Sequence, residues 1–336
     1  MFYKSIIQGR LSFGTQKSYD KVVKMYAYRA ETYYKSDILL LQEDIFNSAD
    51  LAMVIPRYVG NASDKNFKNT VSLIDYCSQF AVAGSVQAWM INEGKILNHA
   101  NIFPNSDRTV VQNFNQGEKF FRQWGKNEEA LEAFNKTIEG YQKHGQAYER
   151  RGWINIRFKN YSDALYDFNK AIALDDSIAF AYYGKGQIAM HEANLEEAID
   201  CFEATIKRSV ALQSVHWRAR LRKAECLIEL EQWEKAAFEL RFFTNRKFAP
   251  DDSNNQRLPR ALTMYGIALI GIEDYLKAIE VLTRALEIHD DESKNVDLSQ
   301  TYFYRGLAKK KLNKRDAKAD LLQASEMGYE AAQEFL

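Results

Sequence analysis

The chain has 336 residues, 46% apolar and 27% charged, and its 45 Lys plus Arg are matched by 45 Asp plus Glu. A zero formal net charge excludes a global field that would draw the protein to nucleic acid or an anionic membrane, although a local patch is still open. With 4 prolines and 16 glycines there is little room for a turn-rich all-β fold, and Cys77, Cys201 and Cys226 are too few and scattered for a disulfide framework.

The three cysteines read as reduced thiols filling small core gaps. The opening MFYKSIIQGRLS lacks the uninterrupted apolar run of a signal peptide, and no stretch approaches the roughly 18 apolar residues of a membrane span. A cytoplasmic location is therefore the expectation.

Residues 1–105 show no long-range period. Tyr19, Val22, Tyr26, Ala30 and Tyr33 have helical spacing, as a degenerate repeat helix would. A second helix is predicted over 67–83, with Val71, Ile74, Cys77 or Ser78 and Ala81 on one side. In 85–103 two β-favouring runs flank Asn92-Glu93-Gly94, which predicts a hairpin with a three-residue loop and Gly94 in the left-handed conformation. These elements predict a small N-terminal α+β module, 1–105, that caps the helical array to follow. Its hairpin should pack on the module's helices or on the edge strand of another chain, so self-association through 85–103 is one expectation.

From residue 106 a period appears. NEEALEAFNKTI (127–138), YSDALYDFNKAI (161–172) and LEEAIDCFEATI (195–206) place Ala130, Ala164 and Ala198 at intervals of 34, and Phe134, Phe168 and Phe202 likewise. Gly152 and Gly186 keep the same spacing. Within one unit Ala164, Phe168 and Ala171 form a helical stripe, and Tyr148, Gly152 and Ile156 form another upstream. Each unit is thus a helix hairpin that cannot bury its stripe alone and must stack on its neighbours.

Gly152, Ala164, Phe168 and Ala171 together resemble the tetratricopeptide repeat (TPR) family; Gly186, Ala198 and Phe202 repeat the pattern, with Thr205 in the last place. Further units follow at Ala224, Ala236 and Leu240, at Gly266, Ala278, Leu282 and Ala285, and at Gly306, Ala317, Leu321 and Ala324. The resemblance spans about 107–328. It implies a mainly α fold: a TPR-like α-solenoid of about six helix hairpins over 106–336, ending in a capping helix, fused to the N-terminal α+β module. The wider spacings predict longer connectors at 207–217 and 243–258, the latter containing the turn-rich PDDSNNQRL (250–258).

Little in the chain looks catalytic. The histidines His99, His144, His191, His216 and His289 make no metal-binding motif, and neither a phosphate-binding loop nor a nucleophile elbow occurs. No metal or cofactor is expected. Cys77 with His99 is the one nucleophile–base pair the N-terminal module offers, and it lacks an orienting third residue.

WRARLRKAE (217–225) concentrates Arg218, Arg220, Arg222 and Lys223. Arg218 and Arg222 are one helical turn apart. The TPR resemblance implies that such residues, on the first helix of each unit, line a concave groove. Carried across unit by unit, the expected groove holds Glu149, Arg150 and Trp153, then Phe180, Tyr183 and Gln187, then Arg218, Leu221 and Arg222. Arg260 and Thr263 follow, and finally Gln300 and Phe303, while Arg220 and Lys223 point elsewhere. The family's chaperone-tail clamp is incomplete, because Gly184, Glu149 and Trp153 stand where it needs other residues. The alternative is that the arginines pair within the chain, with Glu225 or Glu229, and that Trp217 begins a packing stripe through Leu221, Ala224 and Ile228.

The expected function is therefore that of a non-catalytic scaffold or adaptor whose Arg/aromatic groove binds an acidic or aromatic peptide segment of another protein. Two other classes stay open. One is a nucleic-acid-binding array using RGLAKKKLNKRDAK (305–318), read as one helix with Lys310, Lys314 and Lys318 in a row beside Lys311 and Arg315, with HDDESK (289–294) as nearby neutralising acid. The other is an enzyme with its site in 1–105.

Overall fold

Ten residues with Ser5, Ile6, Ile7, Leu11 and Ser12 buried, β1 (Tyr3–Ser12), form the centre of a sheet in the computed structural model, which describes residues 1–288 and 298–336. The chain forms two compact units, 1–181 and 182–336.

In the first unit β1 is followed by α1 (Gln16–Tyr28), which runs into a π-helical turn over 29–33, and by the single turn α2 (Gln42–Ile45). Then come β2 (Phe46–Asn47), β3 (Ala52–Ala62), α3 (Asp64–Ser78), β4 (Ala83–Asn92) and β5 (Lys95–Ile102). The sheet is antiparallel in the order β2-β3-β1-β4-β5. Thr15 and Ser63 cap α1 and α3, each side-chain oxygen accepting a backbone N–H three residues on.

Side chains alternate across the strands, so one face presents Ile7, Leu11, Met53, Ile55, Val86, Ala88 and Met90. Against it lie Val22 and Tyr26 of α1 and Phe67, Leu73, Ile74 and Cys77 of α3. The helical spacing of Tyr19, Val22 and Tyr26 therefore serves the sheet, and α1 is not a degenerate repeat helix. Gly84 is required where β1 and β4 meet: its φ is +102°, and a Cβ there would lie 2.0 Å from the Arg10 carbonyl oxygen.

The 85–103 hairpin is present, but its loop has two residues, because Asn92 still pairs with Lys95. Glu93 and Gly94 both take positive φ, 49° and 81°, as a tight hairpin turn of the strand-matching twist requires. β1 and β3 lie outside the elements expected from sequence. Pro56 and Gly60 interrupt β3 as a strand signal, yet Pro56 falls at the register shift between β1 and β3, where a missing N–H is tolerated.

The first unit continues with α4 (Thr109–Phe121), α5 (Asn127–Gly140), α6 (Gly145–Arg157) and α7 (Tyr161–Leu174). These helices dock on the sheet module through polar contacts: Gln146 Nε2 donates to Ser85 Oγ at 2.9 Å and Arg108 Nη2 to Ser18 Oγ at 3.1 Å. His144, fully buried at the entrance to α6, accepts the Ala147 N–H on Nδ1.

The second unit holds most of α8 (Ala179–His191) and then α9 (Leu195–Arg208), α10 (Ser214–Glu229), α11 (Trp233–Thr244), α12 (Leu258–Gly271), α13 (Tyr275–Glu287), α14 (Leu298–Lys311) and α15 (Ala317–Glu326). A short 3-10 stretch follows at 330–335. The helices pair in sequence as hairpins, so the mainly α, TPR-like class with an N-terminal α+β module is the fold observed.

Three devices recur in the hairpins. First, the small residue of the leading helix receives the large residue of the following one: a Cβ on Gly152 would meet Phe168 at 2.8 Å, and one on Gly186 would meet Phe202 at 2.6 Å. Second, seven residues after the small residue the chain turns through a left-handed conformation, at Lys159, Ala193, Glu231, Glu273 and Asn313. Third, the residue before the small one is in three hairpins a cation tied to an acid on the next helix. The ties are Arg151–Asp167 at 2.7 Å, Lys223–Glu239 at 3.0 Å and Arg305–Asp320 at 2.7 Å, and all three acids are buried.

The basic segment 305–318 is not one helix. α14 ends at Lys311, Asn313 takes a φ of 55°, and α15 starts at Ala317, so the expected Lys310/Lys314/Lys318 row does not form. Arg305 and Lys309 are moreover engaged by Asp320, and Lys309 also by Asp316. The acidic stretch 289–294 expected beside it lies outside the described residues.

Candidate peptide-binding site

The cations of 217–225 have different fates on α10. Arg220 binds Glu239 of α11 and donates through Nε to His216 Nε2 at 3.2 Å. Lys223 is held between Glu239 and, at 3.5 Å, Glu203. Both thus point away from the Arg218/Arg222 face, as expected, and tie α10 to its neighbours. Trp217 does begin a packing stripe: with Leu221, Ala224 and Ile228 it joins the core shared by α10 to α13.

Arg218 and Arg222 face another direction. Arg222 Nη1 donates to Glu225 Oε2 at 2.6 Å, and Arg260 of α12 reaches the other oxygen of Glu225 at 2.9 Å. Glu225 is 8% exposed, so its carboxylate anchors two guanidiniums in a largely desolvated position. Burial lowers the affinity of Arg222 for its proton, but Glu225 and the hydrogen-bonded Tyr183 hydroxyl more than offset this.

A third guanidinium enters from the loop before α12. Arg257 is depressed below the usual arginine range, first by burial and then by the adjacent Arg218. Tyr183, Arg222 and Asp252 also act on it. Among the described residues Arg218 has no ion pair, and its Nε is buried with no hydrogen-bond partner. Arg222 and Arg260 therefore share one carboxylate, while Arg257, which Arg218 and Asp252 also act on, donates through Nη1 to the Ser253 carbonyl.

The remaining expected groove residues fall into two groups. Leu221 belongs to the helix core, Thr263 hydroxyl bonds Thr301 at 2.8 Å in a buried contact, and Phe303 packs with Tyr304, Tyr329 and Phe335. These three fill space between helices, and none is more than 5% exposed. Tyr183 is buried against Phe202, while Gln187, one turn on, is half-buried and donates weakly to the Tyr183 hydroxyl at 3.4 Å.

In the first unit Glu149 is buried and binds Arg150 at 2.7 Å, and Arg150 also binds Glu118. Burial, and secondly Glu118, raise the Glu149 carboxyl above its ordinary range, against the lowering effect of Arg150. Trp153 and Phe180 are half-buried, Trp153 edge-on to Phe168. Arg150 is thus committed to two carboxylates of its own unit. Sequence reasoning missed Arg257 because loop residues have no repeat register; its spacing of three from Arg260 was the available signal.

The Cys77–His99 pair is not formed. Cys77 lies in the core on the helix-covered face, where burial pushes its thiol up to about 12. His99 pairs across strands with Trp89 and stacks on it at 5.4 Å, on the opposite sheet face from Ala88 and Met90. Cys201 and Cys226 are likewise buried and free. Among the described residues no group of three His, Cys, Asp or Glu side chains is arranged to hold a metal, and no helix is long and apolar enough to cross a membrane.

A series of helix hairpins, each closed by a small-to-large contact and carrying polar side chains on its leading helix, defines a helical-repeat protein. Residues 121–177 and 181–240 match the tetratricopeptide repeat family model, so this stretch consists of TPRs; the match does not extend to the N-terminal sheet module. Among solved structures the chain is similar to Pseudomonas aeruginosa pilF, with 16% identity, a TM-score of 0.52, and coverage of 68% of this chain and 97% of that one. It is also similar to YrrB, described as a TPR protein with an unusual peptide-binding site, at 23% identity and a TM-score of 0.49, covering 59% of this chain and 93% of that one. A tetratricopeptide repeat protein from Parabacteroides merdae aligns over 95% of this chain and 97% of its own, with 16% identity and a TM-score of 0.41. No curated protein matches the chain in sequence.

Proposed function

We propose that the protein is a non-catalytic interaction module whose second unit binds an acidic segment of a partner protein on the face carrying Arg218, Arg222, Arg257 and Arg260. The observation that carries this reading is the charge imbalance on that face. A structural ion-pair network supplies an acid for each cation, as Glu239 and Glu203 do for Arg220 and Lys223. On the Arg218 face, among the described residues, four guanidiniums are set against one carboxylate, shared by Arg222 and Arg260, and one loop aspartate, and Arg218 pairs with neither. Guanidinium forks bind carboxylates by parallel hydrogen bonds, and half-buried Gln187 beside the site supplies a polar contact for a peptide backbone.

The test uses the full chain and fluorescein-labelled twelve-residue peptides rich in Glu, in Glu with Phe, or in Lys. The Glu-containing peptides bind, the Lys peptide does not, and Arg218→Glu weakens binding at least about tenfold, or about 1.4 kcal/mol, with an unchanged melting temperature. Equal binding by Arg218→Glu and wild type removes the assignment of the site. A cytoplasmic adaptor role fits this reading, and the exposed edge strand β5, with Ile96 and Leu97 half-exposed, supports self-association as a second contact.

A further inference from the structure

The arginine face has a composition more specific than a general preference for acid. Among the described residues its four cations, set against Glu225 and Asp252, leave a surplus of two positive charges. A carboxylate side chain brings one negative charge and two oxygens. Glu225 already supplies those to Arg222 and Arg260, at 2.6 and 2.9 Å. What is left over is Arg218, whose Nε is a buried donor without an acceptor, and the positive charge of Arg257, a residue of a separate chain segment that feels Arg218 and makes no ion pair among the described residues, its Nη1 donating to the neutral Ser253 carbonyl.

Resting on the protein-binding reading above, the geometry points to a site for a phosphoryl group carried on a side chain of the partner, held chiefly by Arg218 and Arg257 with Arg222 at its edge. Such a group carries between about 1.5 and 2 negative charges at neutral pH and presents three acceptor oxygens, which matches the surplus charge. The unmatched Arg218 Nε is the donor that a third oxygen satisfies; burying a donor without an acceptor is unfavourable, and ligand binding relieves it. Arg257, depressed first by burial and then by Arg218, gains a counter-charge in the same step. Tyr183, hydrogen-bonded to Arg222 and packed on Phe202, fixes the site's inner wall.

The experiment compares three degenerate nonapeptide pools, identical except for phosphoserine, serine or glutamate at the centre, for binding to the full chain. Inorganic phosphate and sulfate serve as competitors. The phosphoserine pool binds at least about tenfold more tightly than the glutamate pool, and Arg218→Gln or Arg257→Gln each removes that preference. Arg257 precedes α12 and is not part of α10, so its variant keeps the test valid even if Arg218→Gln alters α10. Equal binding of the phosphoserine and glutamate pools overturns the phosphoryl assignment and leaves the acidic-peptide reading standing. A preference that survives both substitutions overturns the location. If no pool binds and the two inorganic anions bind alike, the face is an unselective anion patch and both readings fail.

Discussion

Arg218 and Arg220 are two residues apart on α10, and their replacement by alanine separates structural cations from functional ones. Arg220 is about one-sixth exposed and Glu239 is 7% exposed in its side chain, so their ion pair is largely desolvated. Removing one partner of a buried pair costs about 3–5 kcal/mol when it strands the other charge. Here Glu239 keeps Lys223 at 3.0 Å, which compensates part of the loss, and about 2 kcal/mol is the expected cost of Arg220→Ala. His216 also loses its contact with the Arg220 Nε. Among the described residues Arg218 has no acid to strand and its buried Nε has no hydrogen bond to lose, so Arg218→Ala should cost no more than about 0.5 kcal/mol. At roughly 2–4 °C per kcal/mol for a unit of this size, Arg220→Ala lowers the melting temperature by about 4–8 °C and Arg218→Ala hardly moves it. Scanning calorimetry of the full chain, following the transition of the second unit, measures both. Equal losses in the two variants would refute the division of the arginines into one pair-forming and one unengaged class.

Gly186→Ala tests the close contact between the helices of one hairpin. Helix propensity alone favours Ala by about 1 kcal/mol, but the added Cβ falls 2.6 Å from Phe202, and overpacking should reverse the sign to a net loss of about 1–3 kcal/mol, partly restored by Phe202→Leu. For His144, burial lowers the pKa from 6.5 to about 3. The folded state holds the ring neutral, so this contribution is fully present above pH 6.5 and is lost as pH falls towards 3, at up to about 1.4 kcal/mol per pH unit. Urea melts between pH 7 and pH 4 measure that slope, and His144→Asn should flatten it. Asp320→Asn leaves Arg305 and Lys309 without a full counter-charge and should cost about 1–3 kcal/mol, seen as a lower urea midpoint.

The N-terminal module illustrates how a sequence signal is lost. Gly9 and Gly84 read as breakers, yet they sit where β1 and β4 approach closely, and Pro56 reads as a strand terminator, yet it occupies a register shift. The hairpin at 85–103 was legible because turn chemistry is local. The sheet around it was not, because strand pairing joins residues as far apart as Tyr3 and Ala62. The left-handed turns at Lys159, Ala193, Glu231, Glu273 and Asn313 carry no local signal for a related reason: none is glycine, and only the repeat frame aligns them.

By itself the sequence determined the repeat. A period near 34 with small, Ala and aromatic positions in fixed register leaves a helix hairpin as the one way to bury both stripes, and the directions of Arg220 and Lys223 follow from that register. Tertiary structure alone decided which charges cancel. Glu239 lies 19 residues from Arg220, and Arg257 and Arg260 come to the Arg218 face from beyond a long loop. Coulomb interactions depend on distance through space and on burial, and a periodic pattern along the chain encodes neither for residues that meet across separate helices.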